Sequence, residues 1–201
     1  MMIEFLEETH TYLVEGILTP SVTELIHNIY MPNQYSGISK AVLANAADYG
    51  NRVHSLVEHW NSAGTTPDWL EKKSYEMIAM NSYISFVENF DITSVSQEEP
   101  VAYMYNDEPL WAGKYDLLAM VRGKLCICDI KTTSKYYPEY LSKQCTMYKM
   151  AVEQMTGQKI EDAWCIYLPK KGKKSMIHVD LVDEASIVRD VRLYEREHPS
   201  D

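Results

Sequence analysis

Two apolar runs, residues 110–121 and 124–132, are separated only by Arg122-Gly123. A connection this short between strand-like runs is a tight hairpin turn, so the two runs must lie side by side and antiparallel. Positions about equally far from the turn then face one another, which brings Asp116 near Asp129 or Lys131. In Leu125-Cys126-Ile127-Cys128-Asp129-Ile130-Lys131, the two-residue period of a strand puts Asp129 and Lys131 on one face and Cys128 and Ile130 on the other. Two carboxylates and an ammonium therefore converge at the far end of an apolar hairpin.

The surrounding pattern supplies the rest of a sheet and its cover. Residues 3–6 and 11–14 alternate around Glu7-Glu8-Thr9-His10 and predict a small N-terminal hairpin. Ser21-Val22-Thr23-Glu24 has the form of a capping box, predicting a helix to about Asn28. Ser39 is placed to cap a long helix over 40–61, interrupted or kinked at Gly50, and Pro67 to open another over 68–89. Residues 95–105 read as a third strand beside the hairpin. Pro138 near a first turn and Gly157 at a stop bound a helix, strands follow over 162–168 and 175–182, and Asp183 caps a final helix over 184–197. The expected fold is an α/β, mixed β-sheet flanked by helices, in one domain over 1–201: N-terminal hairpin and helices 1–92, sheet core 93–182, C-terminal helix 183–201. A chain of 201 residues falls near the roughly 100–200 residues of one domain.

The charge is unevenly spread. The chain carries a net −10, yet between Ala112 and Lys174 twelve Lys and Arg face six acids, a local +6 that leaves −16 on the remainder. This asymmetry predicts a cationic working face on an acidic body. The plainer alternative is a scatter of solvated lysines. No run approaches the ~20 apolar residues of a membrane span, and MMIEFLEETH is acidic where a secretory signal is basic, so a cytoplasmic protein without membrane contact is expected. Cys126, Cys128, Cys145 and Cys165 lack the paired CxxC spacing of a zinc or iron–sulfur site, so reduced thiols and no cluster are expected.

Carboxylates a few ångströms apart in a partly buried site repel, a lysine only half relieves this, and a divalent cation is the usual remedy. Oxygen ligands favour Mg²⁺ or Mn²⁺. For any one of these residues an ordinary salt bridge or strand end is a sufficient account, and their conjunction is what points to a site.

Gly113-x-x-Asp116 followed by Asp129-Ile130-Lys131 resembles the catalytic core of the PD-(D/E)XK nuclease superfamily, whose sheet core is restriction-endonuclease-like (αβββαβ). Other segments resemble its RecB-like and phage-type exonuclease branch: Tyr49-Gly50-Asn51-Arg52-Val53-His54 with Glu58, Gln144-x-x-x-Tyr148, and the opening Thr9-His10-Thr11-Tyr12 to Pro20-Ser21-Val22-Thr23. The match spans roughly residues 10–150. It departs from the pattern at Tyr115, where the superfamily's name has proline.

The resemblance implies one or two Mg²⁺ or Mn²⁺ ions on Asp116, Asp129, the carbonyl of Ile130 and His54, with Glu98 a further carboxylate and Glu99 its equal rival. Lys131 would orient the attacking water, and Gln144 and Tyr148 would reach the site or the DNA backbone. It implies DNA ends or single-stranded regions as substrate, an exonuclease of recombination or end processing in a bacterial or phage-infected cell, and a single-strand annealing or binding protein as a partner. A structure-specific or restriction-like endonuclease, or a non-catalytic nucleic-acid-binding protein on the same fold, is the alternative. Lys114, Lys135, Lys143, Lys170, Lys171, Lys173 and Lys174 are the expected DNA contacts, with a solvated turn as the plainer alternative for the last four.

Overall fold

The computed structural model describes residues 1–7, 9 and 11–198; Glu8 and His10, within the expected first turn and the opening motif, lie outside the described residues. Three short strands, β1 (Ile3–Leu6), β2 (Thr11–Val14) and β3 (Ile17–Thr19), form an antiparallel sheet in the order β1-β2-β3. The third strand was not expected. It forms because Glu15 and Gly16 both take positive φ (51° and 78°), the geometry of a two-residue hairpin turn. Ser21 then caps α1 (Val22–Tyr30) by accepting from the Glu24 amide at 3.1 Å.

Helix α2 (Lys40–Ala63) is capped by Ser39 and closed by Gly64 at φ 71°. It runs without interruption through Gly50, which corrects the expected break. The glycine serves a close approach instead, since a Cβ there would stand 3.0 Å from Thr132 Oγ1. Helix α3 (Tyr75–Phe90) starts seven residues later than expected, because Ser74, accepting from Met77 N at 3.0 Å, is its cap. Residues 68–73 form turns instead.

The three strands expected over 95–132 are five. One bend splits two of them: β4 (Ile92–Gln97) gives way to β5 (Pro100–Tyr105), and β6 (Glu108–Lys114) gives way to β7 (Leu117–Val121). Glu98 N donates to Asp116 O at 3.2 Å across the bend, and Glu98 takes φ 53°. β5 and β6 pair with each other as a two-stranded sheet, while β4 and β7 join the main sheet. The turn at Arg122-Gly123 between β7 and β8 (Lys124–Lys131) is as expected, both residues at positive φ and Leu117 opposite Cys128.

Helix α4 (Pro138–Thr156) follows, then β9 (Asp162–Tyr167), β10 (Ser175–His178, four residues shorter than expected) and α5 (Glu184–Glu197). The main sheet has the order β10-β9-β8-β7-β4, antiparallel except where β9 runs parallel to β8. It is therefore a mixed five-stranded sheet flanked by helices. On one face Leu118, Ile127 and Cys165 pack with α1, α4 and α5; on the other Leu117, Cys128 and Ile130 pack with α2 and α3. Burial on both faces explains why these strands read as continuous apolar runs. Among the described residues no helix is long and apolar enough to cross a membrane.

Candidate metal centre and cleft

The hairpin register that ends at Leu117 and Cys128 continues by one step to set Asp116 beside Asp129. Asp116 lies just past the bend, and its Oδ2 accepts from the Ile130 amide at 2.6 Å, a backbone bond a strand residue would ordinarily give to its neighbour. Its other oxygen is 3.6 Å from His54 Nδ1, and Glu98 Oε1 is 3.7 Å from the same nitrogen. His54, Glu98 and Asp116 thus offer three ligand atoms within 4.8 Å of one another. The choice between Glu98 and Glu99 falls to Glu98. Its left-handed backbone, unfavourable by ~1–2 kcal/mol for a non-glycine residue, is the feature that turns this carboxylate toward His54.

The Ile130 carbonyl, expected to be a neutral metal ligand, here accepts from His54 Nε2 at 3.0 Å. That bond fixes the proton on Nε2 and leaves Nδ1 facing the two carboxylates. Asp129 stands apart from the three-ligand group. Its Oδ1 accepts from Lys131 Nζ at 2.7 Å, while Oδ2 is buried without a hydrogen-bond partner. A buried unpartnered carboxylate oxygen is costly, and one at the rim of a ligand set is where a cation or its bound water fits.

Gln144 and Tyr148, which the resemblance brings to the site, come from α4, one turn apart, and both line the cleft. Gln144 Oε1 is also buried without a partner. Tyr148 packs against β6 at Gly113, where a Cβ would meet its ring at 2.8 Å, so the glycine of Gly113-x-x-Asp116 makes room for this tyrosine.

Electrostatics follow from this crowding. Burial works against a charged His54, but Asp116 and Glu98 outweigh it and push its pKa up to about 9. Burial, assisted by Asp129, pushes Asp116 up to about 6 although His54 pulls the other way. Burial likewise opposes the Glu98 carboxylate, which His54 and Lys114 nonetheless hold below its ordinary range. Lys131 is partly buried, which opposes its charge, yet Asp129 and Asp116 keep its pKa well above the usual value for lysine. In the metal-free protein a protonated imidazole therefore stands among the carboxylates where a cation would otherwise be.

An ion and that proton compete, because a ligating imidazole must be neutral. Mn²⁺ binding at pH 7.5 is expected to release about one proton, read by titration calorimetry in buffers of different ionisation enthalpy. Apparent affinity should climb up to about tenfold per pH unit from pH 7 and level off near 9, following the His54 pKa. His54→Ala should bind more weakly and without that release. A pH-independent affinity in the wild-type protein would remove His54 from the ligand set.

The cleft has a volume of about 850 Å³ and runs between this centre and α2, whose Leu43, Ala47 and Asn51 form its opposite wall. Tyr35, from the loop after α1, also lines it and carries no sequence signal for doing so. Asn51 had one: it lies three residues before His54 and so shares its helix face.

The expected DNA-contacting lysines are dispersed. Lys114 Nζ is 2.7 Å from Glu98 Oε2, inside the metal centre. Lys135 and Lys143 stand over the rings of Tyr137 and Tyr30 at 5.0 and 4.6 Å. Lys170 lies over Tyr49 and Tyr75, at 5.5 and 5.1 Å, on the α2–α3 side. Lys171, Lys173 and Lys174 belong to a turn around Gly172 at φ 90°, with Lys174 donating to the Gly172 carbonyl at 3.3 Å.

The class defined here is a mixed α/β protein with a histidine–dicarboxylate group and a buried lysine–aspartate pair at one end of its central sheet. No protein-family profile matches the sequence, and no curated protein does. Solved structures resemble the fold, among them the following two. The crystal structure of SSO0001 is 19% identical with a TM-score of 0.38, over 62% of this chain and 59% of that one. The crystal structure of a "Putative exonuclease" from Eubacterium rectale is 15% identical with a TM-score of 0.45, over 90% of this chain and 79% of that one. This chain thus spans less than two thirds of SSO0001.

Proposed function

We propose that the protein is a divalent-metal-dependent DNA nuclease of the PD-(D/E)XK type, acting as an exonuclease in recombination or end processing. The observation that carries this reading is the meeting of His54, Glu98 and Asp116 within 4.8 Å, beside the buried Lys131–Asp129 pair. These are the residues whose order along the chain resembles that superfamily's site. The donor set fits a hard divalent cation, and the imidazole makes it better suited to Mn²⁺ than to Mg²⁺, which keeps to oxygen ligands and water. His54, Glu98 and Asp116 would hold such an ion, with Asp129 Oδ2 as a further anionic oxygen, and it would supply charge neutralisation at a phosphate and a lower pKa for a bound water.

The chain's own groups do the rest. Lys131, held charged by Asp129, offsets negative charge that develops on the phosphate and orients the attacking water. Gln144 and Tyr148 present an amide and a hydroxyl to the same cleft, suited to the sugar–phosphate backbone. The partner implied is DNA, with a single-strand annealing or binding protein as a second.

The reading is tested by digesting end-labelled linear, nicked and covalently closed DNA in Mg²⁺, Mn²⁺ and EDTA. Linear DNA should be shortened from its ends in Mn²⁺ and Mg²⁺ and left whole in EDTA, while closed circles persist. Hydrolysis of closed circles would make the enzyme an endonuclease, and no hydrolysis in either metal would overturn the nuclease reading.

A further inference from the structure

Beyond the metal centre, the cleft meets a second depression along α2. This depression, about 390 Å³, is lined by Leu56, His59, Pro67 and Trp69. Asn51 and Ser55, one turn apart on α2, border both cavities, so the two adjoin along one face of the helix. Trp69 is 71% exposed, the most exposed of the large apolar side chains described. It is not loose chain: the next residue, Leu70, is buried in the core beneath α2 and α3, and its amide donates to the Pro67 carbonyl at 3.1 Å in a closed turn. A protein that buries Leu70 and displays Trp69 beside it is holding an indole face to solvent.

Resting on the nuclease reading, we infer that Trp69 is a stacking platform for a base of a single DNA strand that leaves the metal centre along α2 past Asn51 and Ser55. The wall that strand follows mixes apolar side chains, Leu43 and Ala47 at one end and Leu56 and Pro67 at the other, with the polar Asn51, Ser55, Arg52 and His59. Bases fit such a wall, whereas a duplex presents phosphates outward and keeps its bases paired. The charges agree. Around Trp69 the loop carries Lys72 and Lys73 against Asp68 and Glu71, and Arg52 is committed to Asp48 and Glu76. A neutral surface gives phosphates little to bind, so the attraction here is to the face of a base. Stacking on an aromatic side chain is sequence-tolerant, as an end-processing enzyme requires.

The test measures binding in Mn²⁺ in a Lys131→Ala background, where the strand stays intact. Trp69→Ala should weaken binding of a dT oligonucleotide of roughly 12 nucleotides by about tenfold or more, the usual effect of losing one base–aromatic stack. Trp69→Phe should stay within about threefold. Blunt duplex should bind both alike, and an oligonucleotide of abasic sugars should be indifferent to the substitution. The metal-induced rise in melting temperature, retained in Trp69→Ala, confirms an intact fold. Equal binding of dT by wild type and Trp69→Ala, or an equal loss with abasic strand or duplex, overturns this path while leaving the nuclease reading standing. Failure of this variant to bind any DNA, together with no hydrolysis by the wild-type protein, overturns both.

Discussion

Lys131→Ala is expected to slow single-turnover DNA hydrolysis by at least 10²- to 10³-fold, the effect of removing one preorganised donor to developing charge. Metal binding should survive, because none of the three grouped ligands belongs to Lys131. The two effects separate because the ammonium touches Asp129 Oδ1 and not His54, Glu98 or Asp116. Its removal also leaves Asp129, which is 3% exposed, as a buried carboxylate without a counter-charge. The metal-free variant should therefore be less stable by about 3 kcal/mol, the lower end for breaking a buried pair, since the lysine side chain keeps some contact with water. Saturating Mn²⁺ should restore part of that loss. The measurements are single-turnover cleavage at saturating metal and DNA, and melting temperature with and without Mn²⁺. Near-normal cleavage would mean that Lys131 is only the partner of Asp129.

The end of the hairpin was legible because two strong local rules act together there. A two-residue turn fixes the register, and the period of a strand fixes the face, so Asp116, Asp129 and Lys131 could be brought together by counting. Gln144 entered only through the resemblance, and its carbonyl oxygen is buried without a partner. The bend between β4 and β5 was not legible. Residues 95–105 do not alternate, and Pro100 marks an interruption among them, but nothing in Gln97-Glu98-Glu99 singles out Glu98, neither glycine nor asparagine, for a positive φ. Because that bend aims Glu98 at His54, the sequence left Glu98 and Glu99 equal. Gly50 misled for a related reason: a glycine in a helix reads locally as a break, whereas here it answers a contact with Thr132, 82 residues along the chain. Tertiary contact decided both cases, and a local pattern cannot carry it.

The metal response is expected to depend wholly on Asp116. An ion that binds only the folded state stabilises it by mass action, by about 2.7 kcal/mol at a hundred times its dissociation constant. For a chain of this size that corresponds to a rise of roughly 5–10 °C in melting temperature. Asp116→Asn removes the carboxylate closest to His54 Nδ1 and should abolish the rise, while Glu98→Gln should only reduce it. The same substitution has an opposite effect on the metal-free protein. Burial pushes the Asp116 pKa up to about 6, above the unfolded value of 3.8, so its ionised form opposes folding at neutral pH. A group raised in this way favours the folded state only as it takes up its proton, so the burden is full above pH 6 and gone below about 4. Asparagine carries no such charge and can still accept from the Ile130 amide. That shift is already net of the attraction to the His54 cation, which Asp116→Asn also loses. Metal-free Asp116→Asn should therefore melt at or above the wild-type temperature at pH 7.5, with the difference vanishing near pH 4. A retained Mn²⁺ shift in this variant would place the ion elsewhere in the molecule. A lower melting temperature at pH 7.5 would mean that Asp116 holds the β7–β8 end together through His54 more than it strains it by burial.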